Sequence, residues 1–195
     1  MQRLLFPHFI FQANIFYALI FLFSLIGCAK YSDEVQANLT KLKNTKSCPG
    51  CDLSGIELIS FDLKNADLSG ANLTGAILRR SDLTGANLTN ANMTYADLMG
   101  VNLTSAKLVN TNLTEVKLSY SNILEAEISG AILKGAHLNS SKIVNSNIRD
   151  SDMTGANLYS TDLTDTKVAD ETLKDTVLCK TILPSGQQDD SGCKR

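Results

Sequence analysis

Of the five cysteines in this 195-residue chain, the four that follow Cys28 offer the most reactive chemistry, and they fall into two groups. Cys48 and Cys51 enclose a Pro-Gly dipeptide, whereas Cys179 and Cys193 lie near the C-terminus, with no cysteine between the two groups. An even number of cysteines at the two ends of a segment is typical of disulfide bonds in an exported protein. Pairing by proximity predicts disulfides Cys48–Cys51 and Cys179–Cys193, which would staple the two ends. Redox chemistry at Cys48 and Cys51 would need a thioredoxin-like βαβ unit, which the surrounding sequence does not offer.

Acid–base catalysis has little support in the residue pattern. His137 is the only histidine after residue 27, and it lies between Ala136 and Leu138 without a partner nearby in sequence. A set of aspartates precedes leucines in the same outward position, where a carboxyl lacks the burial that a general acid or base needs. They are Asp62, Asp67, Asp82, Asp97 and Asp162. The sequence therefore predicts neither an enzyme nor a cofactor or metal site.

A five-residue period organises the chain that carries these groups. From Leu53 to Leu183 every fifth residue is large and apolar, and a small residue, most often alanine, lies two positions before it. An α-helix would turn about 140° between residues five apart and spread the leucines over its whole surface. An extended triplet instead points the small residue and the leucine to one side. The other two positions are rich in Ser, Thr, Gly and Asn, which favour turns, so we expect a solenoid that bends at every pentapeptide.

The repeat units resemble a known family. Residues 66–70, 71–75 and 86–90 read Ala-Asp-Leu-Ser-Gly, Ala-Asn-Leu-Thr-Gly and Ala-Asn-Leu-Thr-Asn, similar to the A-(D/N)-L-x-x consensus of the pentapeptide-repeat family. This resemblance implies an all-β fold, a right-handed quadrilateral β-helix with four pentapeptides per coil. Each central leucine would then stack on the residue twenty positions away, at a coil spacing of about 4.8 Å, and form a buried column. Regular winding is expected to fail at Glu171, a charged residue in the small position.

The implied coil also limits how the cysteines can be bound and predicts how the two ends of the coil are covered. About six coils would separate the two cysteine groups, too far for one tetrahedral zinc site. A short N-terminal capping helix is predicted after Ser32, because Val35, Leu39 and Leu42 form an apolar stripe that would cover the first coil. The predicted segments are a lipoprotein signal peptide at 1–27, a tether and capping helix at 28–47, the pentapeptide-repeat β-helix at 48–183 and a C-terminal tail at 184–195.

The N-terminal segment predicts export. An apolar run from Ile15 to Ile26 follows a weakly positive start, and Leu25-Ile26-Gly27-Cys28 ends it with a small residue before a cysteine. This tetrapeptide resembles a bacterial lipobox, which implies cleavage before Cys28 and attachment of diacylglycerol to its sulfur, with palmitate among the acyl chains. The alternative is an uncleaved membrane anchor from Leu4 to Ile26, interrupted by Pro7, His8, Gln12 and Asn14.

Either anchor places the coil at a membrane outside the cytoplasm. Ala29 and Lys30 follow Cys28, and the lack of aspartate there resembles sorting to the outer membrane. We therefore expect a bacterial envelope lipoprotein that faces the periplasm and is held in the membrane by the lipid on Cys28.

The charge balance argues against nucleic acid as a partner. The formal net charge is −2, and no basic stripe of the kind that binds nucleic acid is present. The family resemblance includes cytoplasmic proteins that imitate DNA and protect topoisomerases. Residues 51–168 contain thirteen acidic and nine basic residues, far from the roughly one charge per 1.7 Å of duplex axis that such mimicry requires. DNA mimicry therefore remains a distant alternative.

One side of the implied coil has the composition of an interaction surface. Units that share a residue number modulo twenty bring aromatic, methionine and arginine side chains together, and these types are enriched at protein interfaces. The residues are Ile59, Ile77, Arg79, Arg80, Met99, Tyr120, His137 and Tyr159. The sequence thus predicts a non-catalytic envelope lipoprotein that serves as a structural or protein-interaction scaffold for an unidentified envelope protein. A binding module for an envelope ligand such as polysaccharide is the alternative, and the oligomeric state is left open.

Overall fold

The backbone is a coil in which nearly every residue that precedes a central side chain pairs in parallel with the residue twenty positions further on. The computed structural model describes residues 30–193, and the bridges run from Ser47–Asp67 to Asp162–Ile182. Because the unit has five residues, this offset places four units in each turn, so the coil is four-sided. Each side consists of one bridged residue followed by a two-residue turn.

Four backbone hydrogen bonds recur in nearly every unit, and one of them runs to the preceding turn of the coil, as from the Asp67 N–H to the Lys46 carbonyl at 2.9 Å. In the unit centred on Leu68, the Leu68 N–H donates to the carbonyl of Asn87 and the Gly70 N–H to that of Thr89, each at 2.8 Å. The Ala71 N–H closes the turn by donating to the Leu68 carbonyl at 3.1 Å. The coil therefore satisfies its own backbone donors and acceptors without long strands.

In most units whose outward residue is Asp or Asn, that side chain closes the corner that follows it. Asn112 Oδ1 accepts the Thr114 backbone N–H at 3.1 Å and the Thr114 hydroxyl at 2.7 Å. Asp67 accepts the same two donors from Ser69. A carboxylate and an amide oxygen serve equally well as this acceptor, which explains why the position alternates between Asp and Asn.

The core is the column of central side chains. From Leu53 to Leu163 these residues are at most 3% exposed. Burying each one contributes about 1.5–3 kcal/mol, so the column is the main source of stability.

Serine and threonine in the small position add a second set of contacts inside the wall of the coil. Each hydroxyl donates to the carbonyl of the central residue 23 positions earlier, as Ser121 does to Leu98 at 3.0 Å. The nine residues that do this are Ser81, Thr111, Ser121, Ser141, Ser146, Ser151, Thr161, Thr166 and Thr181. All nine are buried, so these hydroxyls are satisfied without water.

Removing the Ser146 hydroxyl is expected to cost more than removing most of the others. Ser146 Oγ donates to the Ile123 carbonyl at 2.7 Å and also accepts the backbone N–H of Ala126 at 3.0 Å. Ser146→Ala would leave this buried N–H without its acceptor. We expect the free energy of unfolding to fall by about 1–3 kcal/mol, measured by urea denaturation, with faster hydrogen exchange at the Ala126 amide.

Ser121→Ala is the matched control. The corresponding backbone N–H, that of Val101, donates to the Leu98 carbonyl at 3.0 Å and does not depend on the Ser121 hydroxyl. This variant should lose less than about 1 kcal/mol. Equal losses in the two variants would show that the hydroxyl of Ser146 does not act as an essential acceptor.

Helix α1, Asp33–Thr45, precedes the coil. Val35, Leu39 and Leu42 are its buried residues, and Asn38 donates from Nδ2 to the Asp52 carbonyl at 3.0 Å. The apolar stripe therefore faces protein, and the helix is tied to the first coil by a side-chain hydrogen bond.

At the other end the winding becomes irregular at a second short helix. Helix α2, Asp170–Leu173, contains Glu171, the residue at which the sequence predicts irregularity. Parallel pairing then resumes at Asn157–Val177. Strands β1, Thr181–Ile182, and β2, Gln188–Asp189, form an antiparallel hairpin that ends the described chain.

The four cysteines form the two pairs that proximity predicts, Cys48–Cys51 and Cys179–Cys193. Cys48 takes the central position of the first unit and Cys51 the small position of the next, and both are buried. In a regular unit these two positions hold a leucine and an alanine, so the disulfide takes their place where the core begins. The second disulfide joins the last coil to the tail.

Cys28 and the predicted signal peptide at 1–27 lie outside the described residues. Within residues 30–193, neither helix is long and apolar enough to cross a membrane.

Candidate interaction surface

Exposed apolar side chains concentrate on one side of the coil. We call it the Leu58 side, and it consists of units 56–60, 76–80, 96–100, 116–120, 136–140 and 156–160, with 176–180 in line. Of the seven exposed large apolar residues among those described, five lie here: Ile59, Met99, Tyr120, Tyr159 and Val177. The other two, Tyr95 and Ile132, share a neighbouring side.

The Leu58 side also differs in charge. Between residues 56 and 160 it carries three basic residues, Arg79, Arg80 and Lys117, and two acidic ones, Glu57 and Asp97. On each of the other three sides of the coil, between residues 51 and 168, acidic residues equal or outnumber basic ones. Apolar exposure and a small positive excess therefore coincide on one side.

Two rows of side chains on this side enclose a surface depression. Its lining residues are Ile59, Arg79, Arg80, Met99, Gly100 and Tyr120, and its empty volume, open to solvent, is about 930 Å³. The first row follows the central leucines and holds Ile59, Arg79 and Met99. The second row holds the next residues, at the corner. Because units stack every twenty residues, each row repeats at the coil spacing of about 4.8 Å.

The corner row contains a gap. Arg80, Gly100 and Tyr120 all have left-handed backbone, with φ of 57°, 71° and 62°. Gly100 has no side chain, so Arg80 and Tyr120 face each other across two coil spacings, about 10 Å. A Cβ at Gly100 would lie 3.6 Å from Arg80 Cγ, which is ordinary van der Waals contact, so the aliphatic part of Arg80 already covers one edge of the gap.

The two arginines have different partners. Arg79 donates from Nε and from a terminal nitrogen to Asp97 Oδ2, at 2.8 and 2.6 Å. Burial by itself would raise the pKa of Asp97, but the hydrogen bonds from Arg79 and from the Met99 backbone N–H outweigh burial and lower it. Asp97 in turn raises the pKa of Arg79. Within residues 30–193 no carboxylate lies within ion-pair distance of Arg80, so its guanidinium is available to a ligand.

Not all the residues predicted for an interaction surface meet in this depression. Ile59, Arg79, Arg80, Met99 and Tyr120 do so. Three residues lie elsewhere on the same side: Ile77 is half-buried, His137 is exposed, and Tyr159 lines a separate depression near the C-terminus. Gly100 was not among the residues predicted for this surface, although its spacing of twenty from both Arg80 and Tyr120 indicates the gap.

The outward carboxyls of the coil accept hydrogen bonds from the corner residues that follow them. Hydrogen bonds from the side chain and backbone of Ser69 lower the pKa of Asp67, and those of Thr154 lower the pKa of Asp152. Such carboxyls hold no proton to donate at neutral pH. In the part of the chain that the structure describes, no group of three or more His, Cys, Asp or Glu residues is placed to hold a metal ion.

Comparison with known proteins gives one match to a family model. The model described as pentapeptide repeats matches residues 51–90, 66–104, 96–135 and 131–168, with eight copies. No curated protein matches the sequence.

Several solved structures are similar to the chain. A pentapeptide repeat protein, Rfr23, from the cyanobacterium Cyanothece 51142 is 28% identical, with 72% of this chain and 97% of that one covered and a TM-score of 0.44. HetL, a pentapeptide repeat protein involved in heterocyst differentiation regulation from the cyanobacterium Nostoc, is 18% identical, with 77% and 98% covered and a TM-score of 0.35. QnrB1, a plasmid-mediated fluoroquinolone resistance protein, is 17% identical, with 70% and 85% covered and a TM-score of 0.30.

Proposed function

This chain belongs to the pentapeptide-repeat family, and from that premise we propose that it is a non-catalytic protein-interaction module anchored in the bacterial cell envelope. Members of the family form right-handed quadrilateral β-helices, and they are generally non-enzymatic proteins involved in protein interactions. The observation that carries the proposal for this chain is the depression on the Leu58 side. It combines exposed aromatic, methionine and arginine side chains, the composition typical of interface centres.

The charge of this surface favours a protein partner over a role as a DNA mimic. Mimicry requires dense negative charge in place of phosphates. The Leu58 side has instead a small positive excess and most of the exposed apolar groups.

Photocrosslinking in cells tests the proposal with a closely matched pair of positions. Tyr120 and Tyr95 are each 64% exposed, and both occupy left-handed corner positions, with φ of 62° and 60°, but they lie on different sides. With p-benzoylphenylalanine at position 120, we expect a discrete, protease-sensitive protein adduct on irradiation, and none from position 95. Equal adducts from both positions, or adducts at 120 that are removed by glycosidase and not by protease, would contradict a protein-binding Leu58 side. The second of these results would favour the polysaccharide alternative.

The anchor of the proposed module is the lipid on Cys28. Two cysteine pairs at the ends of the coil support export, because structural disulfides persist in oxidising compartments. The lipobox resemblance supports lipidation and an orientation towards the periplasm, and the lack of aspartate at Ala29 and Lys30 supports sorting to the outer membrane.

Cys28→Ser is expected to abolish lipidation and leave the precursor unprocessed, because the cysteine sulfur is the attachment point. Incorporation of a labelled palmitate analogue, followed by gel mobility, measures both effects. Cys179→Ser is the control and should keep the label. Label in the Cys28→Ser protein, or its absence from the parent, would rule out the lipobox interpretation.

A further inference from the structure

We propose that the gap above Gly100 binds a short acidic segment of the partner protein, with a carboxylate on Arg80 and an apolar side chain against Met99 and Tyr120. This inference rests on the proposed function, because it names the chemistry of the partner that the Leu58 side would recognise.

The difference between the two arginines supports a carboxylate ligand. Arg79 and Asp97 already satisfy each other, so the buried Asp97 carboxylate does not compete for Arg80. The Arg80 guanidinium is left with a planar set of donors, which matches a carboxylate in a bidentate arrangement. The positive excess of this side, on a coil whose other sides are neutral or acidic, gives charge complementarity to an acidic segment.

The apolar residues around the gap exclude a simple anion as the whole ligand. Ile59 is 54% exposed, Met99 39% and Tyr120 64%. Methionine adapts its shape to an inserted group, and a tyrosine ring and the aliphatic part of an arginine both provide apolar contact area. A free anion would leave these groups in water, and a neutral glycan would leave Arg80 without a charged partner.

The dimensions of the gap suggest the spacing of the recognised residues. The backbones of Arg80 and Tyr120 are two coil spacings apart, about 10 Å, and the Arg80 side chain lies against Gly100 between them, which brings the distance to be bridged close to the roughly 7 Å between residues two apart in an extended peptide. Side chains two residues apart in an extended peptide point to the same face. The expected pattern is therefore an acidic residue and a large apolar residue separated by one residue.

Peptide selection tests the inference directly. A random heptapeptide library displayed on phage is selected on the full-chain protein in detergent micelles, and the enriched peptides are synthesised with a fluorescent label for anisotropy measurements. We expect enrichment of Asp or Glu two positions from Phe, Tyr, Leu or Met, and an affinity that falls with increasing salt. Enriched peptides without acidic residues would overturn the proposal.

Substitutions in the protein locate the binding. Arg80→Glu should weaken binding of the selected peptides about tenfold or more, and a peptide with Lys in place of its acidic residue should regain affinity for this variant. Arg149→Glu makes the same charge change at an exposed position on another side and should leave binding unchanged. Equal effects of the two substitutions would overturn the assignment to Arg80.

A second pair of variants addresses the apolar contact. Tyr120→Asn should weaken peptide binding, whereas Tyr95→Asn should not, and asparagine tolerates the left-handed backbone at both positions. A specific protein adduct at position 120, combined with indifference to Arg80→Glu, would overturn this inference and leave the proposed function standing. Absence of a protein adduct would instead count against the proposed function itself.

Discussion

Leu113→Asp is expected to abolish the folded coil. Leu113 is 1% exposed, and the central residues of the adjoining coils, Met93 and Leu133, are equally enclosed. A carboxylate at this position has neither water nor a counterion, and burying such a group costs several kcal/mol whether it stays ionised or takes up a proton. A typical domain is stable by only about 5–15 kcal/mol. Circular dichroism should therefore show an unfolded or aggregated protein, or a melting temperature lowered by tens of degrees.

Asn112→Asp places the same carboxyl one residue away on the outside of the coil. The new Oδ1 can accept both bonds that Asn112 now accepts from Thr114. A surface change of this kind alters stability by about 0.5 kcal/mol or less, so the melting temperature should move by no more than about 2 °C. Similar melting curves for the two variants would show that the assignment of inward and outward positions is wrong.

Loss of the C-terminal disulfide is expected to loosen the end of the coil and leave its middle intact. Replacing both Cys179 and Cys193 by serine opens a loop of about fifteen residues, whose closure is worth about 3 kcal/mol in the chain-entropy model. The contacts that remain across this loop are the pairing of β1 with β2, the bond from the Gly192 N–H to the Leu178 carbonyl at 2.6 Å and the bond from the Lys180 N–H to Asp190 Oδ1 at 3.0 Å.

The effect should be local because each coil contacts only its neighbours. Hydrogen exchange in the doubly substituted protein should be faster between residues 163 and 183 and unchanged between 83 and 123. Replacing Cys48 and Cys51 by serine is the matched control at the other end. It opens a loop of only four residues, worth about 2 kcal/mol, and should speed exchange near the first coil instead.

Two results would contradict the prediction that the disulfides stabilise the two ends of the coil locally. One is a uniform loss of protection along the whole coil in either variant. The other is a non-reducing peptide map that finds free thiols, or a bond between the two ends, in the native exported protein.

The five-residue period alone determined which side chains are buried. Every central residue from Leu53 to Leu163 lies in the core because an extended triplet points its first and third side chains to one side. The period also located the failure of regular winding, since Glu171, a charge in the small position, lies in α2. Sequence proximity was enough to pair the cysteines as the structure does.

Several contacts could be found only in the folded coil. The hydroxyl of Ser146 forms hydrogen bonds with residues 20 and 23 positions earlier in the sequence. Arg79 forms an ion pair with Asp97, 18 positions later. The period states which units lie above one another, and it placed Arg79 and Arg80 on the same side. The period does not predict which carboxylate each arginine contacts, because that depends on the direction of the side chains at a corner of the coil. The three-dimensional stacking of the coils decided that Arg79 pairs with Asp97, that Arg80 has no carboxylate partner among residues 30–193, and that Gly100 leaves a gap between Arg80 and Tyr120.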